Sequence, residues 1–241
     1  MRPLLVLALL PFATACHASW DSNKGTKVEA SGTGTSRSFA ARDFTGVALK
    51  GSDDVDVRTG ATFSVTAEGD PAVLDQLDIR LDGKTLNVGR KGKAGMFWDK
   101  GGSAKIHVVL PRLTDATVAG SGTMLVDRAE GKFDGVVAGS GDLTIASVIA
   151  QEASLSIAGS GNITLAGRAD KMDLSLAGSG DLKGQQFTAG SADISIAGSG
   201  SVRANVPGNA SVSILGSGDV ELRGGAKCEV NKIGSGEVKC S

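Results

Sequence analysis

The side chains able to do more than pack in this 241-residue chain are three cysteines, two histidines and a column of acidic and amide residues. Thiols ligate metals, attack electrophiles or join as disulfides, and histidines bind metal or move protons. His17 and His107 lie far apart in the chain, too few for a zinc site, and no Ser-His-Asp set can be placed around either. His107 alternates with Ile106 and Val108, which makes it a surface residue of a strand. The column consists of the residue after each Gly-Ser-Gly: Thr123, Asp142, Asn162, Asp181, Ser201, Asp219 and Glu237. Stacked, these oxygens have the chemistry that Ca²⁺ takes. Here, however, Asp follows Gly directly, unlike the spaced Ca²⁺-binding nonapeptide G-G-x-G-x-D-x-U-x. The column therefore reads as turn residues, and no metal, cofactor or catalytic residue is assigned.

A further candidate is a basic loop. Lys84, Arg90, Lys91, Lys93, Lys100 and Lys105 face a single acid, Asp99, and enclose Met96-Phe97-Trp98. An apolar cluster framed by Gly and Lys suits docking on a protein, a glycan or a lipid headgroup layer. The same loop also suits a hairpin tip folded over the open end of a core. Over the whole chain 25 basic residues balance 26 acidic ones, so nothing favours nucleic acid. The chain has no Tyr.

The elements that must position these groups repeat. Gly-Ser-Gly begins at Gly120, Gly139, Gly159, Gly178, Gly198, Gly216 and Gly234, 18 to 20 residues apart. Positions two and four before the first Gly are apolar, as in Leu155 and Ile157, Leu174 and Leu176, Ile194 and Ile196. Positions four and six after it are apolar too, as in Leu143 and Ile145 or Val220 and Leu222. Alternation with period two means strands with one buried face, and a period near 20 means stacked coils. The expected fold is all-β: a right-handed parallel β-helix or β-solenoid. Each coil carries two short strands, a Gly-Ser-Gly bend and a looser return. Cys228 and Cys240 lie six residues before and after Gly234, in slots that earlier coils fill with inward residues such as Ala153 and Ile145. A Cys228–Cys240 disulfide pinning the last coil follows, and it requires an oxidising compartment.

Four segments result. Residues 1–15 carry a positive start, an apolar run from Leu4 to Phe12 and Ala13-Thr14-Ala15, the pattern of an export signal. Cys16 follows directly, so the segment resembles a bacterial lipoprotein signal whose cysteine becomes the lipidated first residue; the alternative is a plain secreted product cut after Ala15 or Ala18. Residues 16–38 are polar and Ser/Gly/Thr-rich, a tether with at most a weak strand at Val28-Glu29-Ala30. Residues 39–112 form a less regular β-rich part, with Asp70-Pro71 opening one helical turn and Lys50-Gly51-Ser52-Asp53 as a degraded bend. Residues 113–241 are the repeat.

Arg42-Asp43-Phe44-Thr45-Gly46-Val47, GSDDVDVRTG, FSVTAEGDPAVLDQLDIRLDGKTLNV and KIHVVLPRLTDATVAGSG together resemble the head GIN domain family, described as heads of auto-transporter adhesins. The likeness spans about 40–240 and implies an exported β-helical domain with no catalytic residues to carry over. The resulting expectation is a non-enzymatic, lipid-anchored solenoid of the bacterial envelope (periplasm or cell surface), adhesin-like or scaffolding. Its partners would be an envelope or extracellular protein or glycan, or a second copy joined through exposed ladder edges. The alternative is a carbohydrate-binding or polysaccharide-degrading β-helix, although the coils offer just Phe133 and Phe187 as aromatics.

Overall fold

The computed structural model describes residues 24–91 and 102–241. The signal at 1–15, Cys16 and Met96-Phe97-Trp98 lie outside the described residues. The molecule is nearly all-β, with 70% strand and 2% helix, arranged as a β-solenoid of about 19-residue coils. The first part contains β1 (Thr26–Lys27), β2 (Ala30–Ser31), β3 (Ser36–Phe39), β4 (Gly46–Gly51), β5 (Asp54–Thr59), β6 (Ser64–Glu68), α1 (Pro71–Leu74), β7 (Leu77–Asp82), β8 (Thr85–Arg90) and β9 (Lys105–Leu110). The repeat contains β10 (Asp115–Gly120), β11 (Thr123–Val126), β12 (Ala129–Gly139), β13 (Asp142–Gly159), β14 (Asn162–Gly178), β15 (Leu182–Gly198), β16 (Ser201–Asn205), β17 (Asn209–Gly216), β18 (Asp219–Arg223), β19 (Lys227–Gly234) and β20 (Val238–Cys240).

The inward positions form columns. Val88, Leu49, Val118, Val137, Ile157, Leu176, Ile196 and Ile214 are successive parallel partners, and Lys232 ends the row. On the other side of the bend Ile106, Val55, Met124, Leu143, Ile163, Leu182, Val202, Val220 and Val238 do the same. Leu155, Leu174 and Ile194 share one buried row, as the alternation requires. Burying these branched side chains coil against coil supplies the main driving force, about 2 kcal/mol for each one fully buried.

The bend explains its own spelling. Gly159 has φ +127°, a region that L side chains rarely adopt, and a Cβ there would run into the carbonyl oxygen of Gly139 in the neighbouring coil. Gly161 has no such φ, yet its Cβ would collide with the carbonyl oxygen of Gly141. Between them Ser160 points to solvent. In the last two coils the hydroxyls of Ser217 and Ser235 meet at 3.0 Å.

The return is more regular than the sequence suggests. Ala129 pairs with Val148, Val148 with Gly167 and Gly167 with Phe187, so the middle coils gain a third parallel ladder. Coils of unequal length are accommodated by register shifts, between Gly131 and Lys132, Ile145 and Val148, and Thr164 and Ala166. Phe133 and Phe187 are both fully buried in the core.

The first part joins the same ladder. β4 lies between β8 and β10, and β5 between β9 and β11, all parallel. Gly51 pairs with Gly120, which makes the 50–53 segment a bend in register with the others. Antiparallel strands then cover the far side of the β8–β9 coil: β7 on β8, β6 on β9, β3 on β6 and β1 on β7. Asp70 caps α1 by accepting from the Ala72 N–H at 2.8 Å, and Pro71 opens the helix. Arg37 ties β3 to this turn through Asp75 at 2.7 Å.

Two differences from the sequence reading arise here. The segment read as a tether to residue 38 enters the sheet from Thr26 onward. The weak strand read at 28–30 is split into β1 and β2, with the Val28 N–H donating to Ile79 O at 2.8 Å between them. Short polar strands on the edge of a cap carry little hydrophobic alternation, so their pattern is faint.

At the far end Lys232 occupies an inward slot and donates to the Gly236 carbonyl at 2.6 Å. The Cys228–Cys240 disulfide closes this coil, with the two Cα atoms 6.5 Å apart. The bend predicts a contrast between neighbours. Gly161→Ala should cost about 1–3 kcal/mol through overpacking. Ser160→Ala, whose side chain faces water, should stay within about 0.5 kcal/mol. Urea denaturation of the two variants checks both values.

Candidate functional site: the first bend and the solenoid faces

In the β8–β9 coil the bend is replaced by the chain between Arg90 and Lys105, which contains the Met96-Phe97-Trp98 cluster. Asp53 contacts both sides of its base. Asp53 stands where the later bends have their second Gly, and its side chain is fully buried. The carboxylate accepts two bonds from Arg90, Nε to Oδ2 at 3.0 Å and Nη2 to Oδ1 at 2.6 Å. It also accepts from the Ala104 N–H at 2.8 Å, while Arg90 Nη2 reaches Gly102 O at 2.7 Å. A buried carboxylate is tolerable only when paired and hydrogen-bonded, and this one meets both conditions. One buried carboxylate thus links the end of β8 at Arg90 to the residue before β9 at Ala104. Sequence reasoning counted Arg90 as loop charge and Asp53 as bend decay. The departure from Gly at the second bend position is the signal that marks the clamp.

The acidic column has a different use from either sequence reading. The Asp181 N–H donates to Asn162 Oδ1 at 3.2 Å, the Ser201 N–H to Asp181 Oδ1 at 2.9 Å, and the Glu237 N–H to Asp219 Oδ1 at 2.8 Å. Asn162 Nδ2 donates to Asp142 Oδ1 at 2.8 Å. Asn162, Asp181 and Asp219 thus reach across to the next coil and satisfy the backbone amide there, whereas the Asp142, Asn162 and Asp219 amides donate to the carbonyls of Gly122, Gly141 and Gly200.

Charges on the outer faces are matched both along single strands and between coils. Lys171 sits between Asp173 at 2.8 Å and Asp193 at 3.0 Å, and hydrogen bonds to them, Asp173 foremost, push its ammonium pKa upward. The Arg223 hydrogen bond holds the Glu221 carboxyl below its ordinary value. A bond to Glu152 likewise raises Lys132, and one to Asp56 raises Arg58. All four groups are solvent-exposed, so these pairs set surface pattern more than stability. His107 lies on the face of β9, its Nδ1 3.7 Å from Asp56 Oδ2. An open depression lined by Thr59, Arg112, Arg128 and Glu130 is internally matched as well, with Arg128 and Glu130 at 3.2 Å.

The fold and these faces define a capped β-solenoid in which a set of Asp, Asn and Lys side chains bond from coil to coil. Residues 43–226 match the model of the family described as "Putative auto-transporter adhesin, head GIN domain", and the chain belongs to that family. The solved structure of a putative adhesin from Bacteroides fragilis is similar at TM-score 0.74 and 17% identity, covering 86% of this chain and 96% of that one. A putative lipid binding protein from Parabacteroides distasonis is similar at TM-score 0.65 and 23% identity, covering 88% and 98%. A putative adhesin from Parabacteroides merdae is similar at TM-score 0.61 and 20% identity, covering 90% and 98%. At such identities the likeness is one of fold. No curated protein matches the chain significantly.

Two outcomes follow from these contacts. Asp53→Ala should destabilise the protein by about 3 kcal/mol, because it removes a fully buried carboxylate that Arg90 and the Ala104 N–H both bond to. Thermal melts together with faster amide exchange at Ala104 would show it. Asp181→Ala should cost about 1–2 kcal/mol by orphaning the Ser201 N–H, while Asp181→Asn, which keeps an acceptor, should cost less. Added Ca²⁺ should shift neither variant's melting temperature.

Proposed function

We propose that this protein is an exported, lipid-anchored and non-enzymatic member of its family, held to a bacterial envelope membrane through Cys16 and acting in adhesion or scaffolding. The supporting observation is the employment of its polar groups. Asp181 and Asp219, which a polysaccharide-cleaving β-helix would need free in a groove, accept backbone N–H groups of adjacent coils. Lys171 and Glu221 are likewise engaged by neighbouring side chains. What remains is a stiff ladder that carries one clamped loop. In this reading Met96, Phe97 and Trp98 make contact with a protein or glycan partner, the Asp53–Arg90 pair fixes where the loop emerges, and the polar segment behind Cys16 spaces the domain from the membrane.

The disulfide supports the compartment, since such bonds persist where the surroundings oxidise thiols. Mass spectrometry of the native N-terminus should find acylated Cys16, and a Cys16→Ser chain should leave the membrane fraction. On a glycan and matrix-protein array the wild type should bind and Trp98→Asp should lose binding with its melting temperature unchanged. Turnover of any polysaccharide by the purified protein would remove the non-enzymatic reading.

A further inference from the structure

The two ends of the solenoid differ. Antiparallel β7 and β6 cover the β8–β9 coil, whereas among the described residues nothing pairs with the outer side of β19 and β20. Val230 and Ile233 are 45% and 68% exposed there. The hydrogen-bonding phase of this open edge follows from its inner contacts. The Lys227 N–H donates to Gly208 O at 2.9 Å, so by alternation Glu229, Asn231 and Ile233 also face β17. Val230 and Lys232 then present both N–H and C=O outward. On β20, Glu237 O accepts from the Val220 N–H at 2.8 Å, and the Ser241 N–H donates to Leu222 O at 3.0 Å. Lys239 therefore faces β18, and Val238 and Cys240 face outward.

These four outward-bonding residues are also the ones in the inward side-chain columns, Val230 below Val212, Lys232 below Ile214, Val238 below Val220 and Cys240 below Leu222. They lie symmetrically about the bend, three and five residues either side of Ser235. A two-fold axis through Ser235 places Lys232 opposite Val238 of a second copy and Val230 opposite its Cys240. Each pairing joins inward side chain to inward side chain and open N–H and C=O to open N–H and C=O, as an antiparallel hydrogen-bonded pair requires. On the outer face the same register sets Glu229 diagonally against Lys239 of the second copy, once on each side of the axis.

We propose that the C-terminal coil is an isologous docking surface for a second copy of this chain, forming an end-to-end dimer with β19 of each copy antiparallel to β20 of the other. The proposal is independent of the adhesion reading. A dimer joined in this way presents its two capped ends, with their clamped loops, in opposite directions.

The test uses the full chain carrying Cys16→Ser, which leaves only the bonded cysteine pair. Sedimentation velocity over a concentration series should show reversible dimerisation. Ser235→Cys, placed on the axis, should form an interchain disulfide on oxidation, whereas Ser160→Cys, at an exposed bend in mid-solenoid, should not. Val230→Pro removes an N–H from the open edge and none from the β17 ladder, so it should leave a folded monomer. Glu229→Lys should weaken the dimer several-fold, and Glu229→Lys with Lys239→Glu should restore it, a comparison that decides the matter if Val230→Pro fails to fold. A chain that remains monomeric at every concentration would overturn the proposal. So would equal crosslinking at 160 and 235, or a dimer indifferent to both the proline and the charge changes.

Discussion

Coil-to-coil backbone contact at the bend is the constraint on which the rest depends. Parallel strands stack about 4.8 Å apart, and at a sharp corner that spacing leaves no room for side-chain carbon between successive carbonyls. In the seven repeat bends two of the three residues are therefore glycine, one for its dihedral angle and one for space, and the 51–53 bend alone has Asp53 at the second of these positions. With the corner so fixed, the residues on either side fall at constant offsets, and inward columns of Leu, Ile and Val follow from the alternation. The Asn162, Asp181 and Asp219 side chains beyond the bend complete the arrangement by satisfying a backbone amide of the next coil.

A solenoid of this kind distributes stability between neighbours. Each coil buries its apolar edge only against the coils on either side, so the ends are the weak points. The two ends of this chain are secured differently. One is covered by antiparallel strands, with Arg37 and Asp75 fastening the cap to its helical turn. The other is held by a disulfide, and by a lysine whose ammonium reaches back to the bend carbonyl where earlier coils place Ile or Leu.

Much of this was legible in the sequence because the information is periodic. Leu155, Leu174 and Ile194 occupy equivalent slots, and Cys228 and Cys240 could be assigned inward parity by counting from Gly234. The return face was less legible. Its inner residues, Ala129, Val148, Gly167 and Phe187, differ widely in size, and the variation in coil length is absorbed there, so the period blurs. The order of the first coils was hidden because β8 and β9 stack beneath β4 and β5, which precede them in the chain. The Asp53–Arg90 clamp joins residues 37 apart with no repeat to reveal it. The inter-coil bonds of Asp181 and Asp219 are hidden in the sequence because local turns and coil-to-coil bonds favour the same residue types.

The first corner carries a lesson for protein engineering. Where every later coil of the chain closes on Gly-Ser-Gly, residues 91–104 separate β8 from β9, and both strands keep their alignment with the rest. The carboxylate of Asp53, in the neighbouring bend, bonds on both sides of that insertion, to Arg90 and to the Ala104 N–H. A corner of this solenoid can therefore differ in length from its neighbours without shifting the strands on either side, which makes the β8–β9 corner the natural place to graft a foreign peptide sequence.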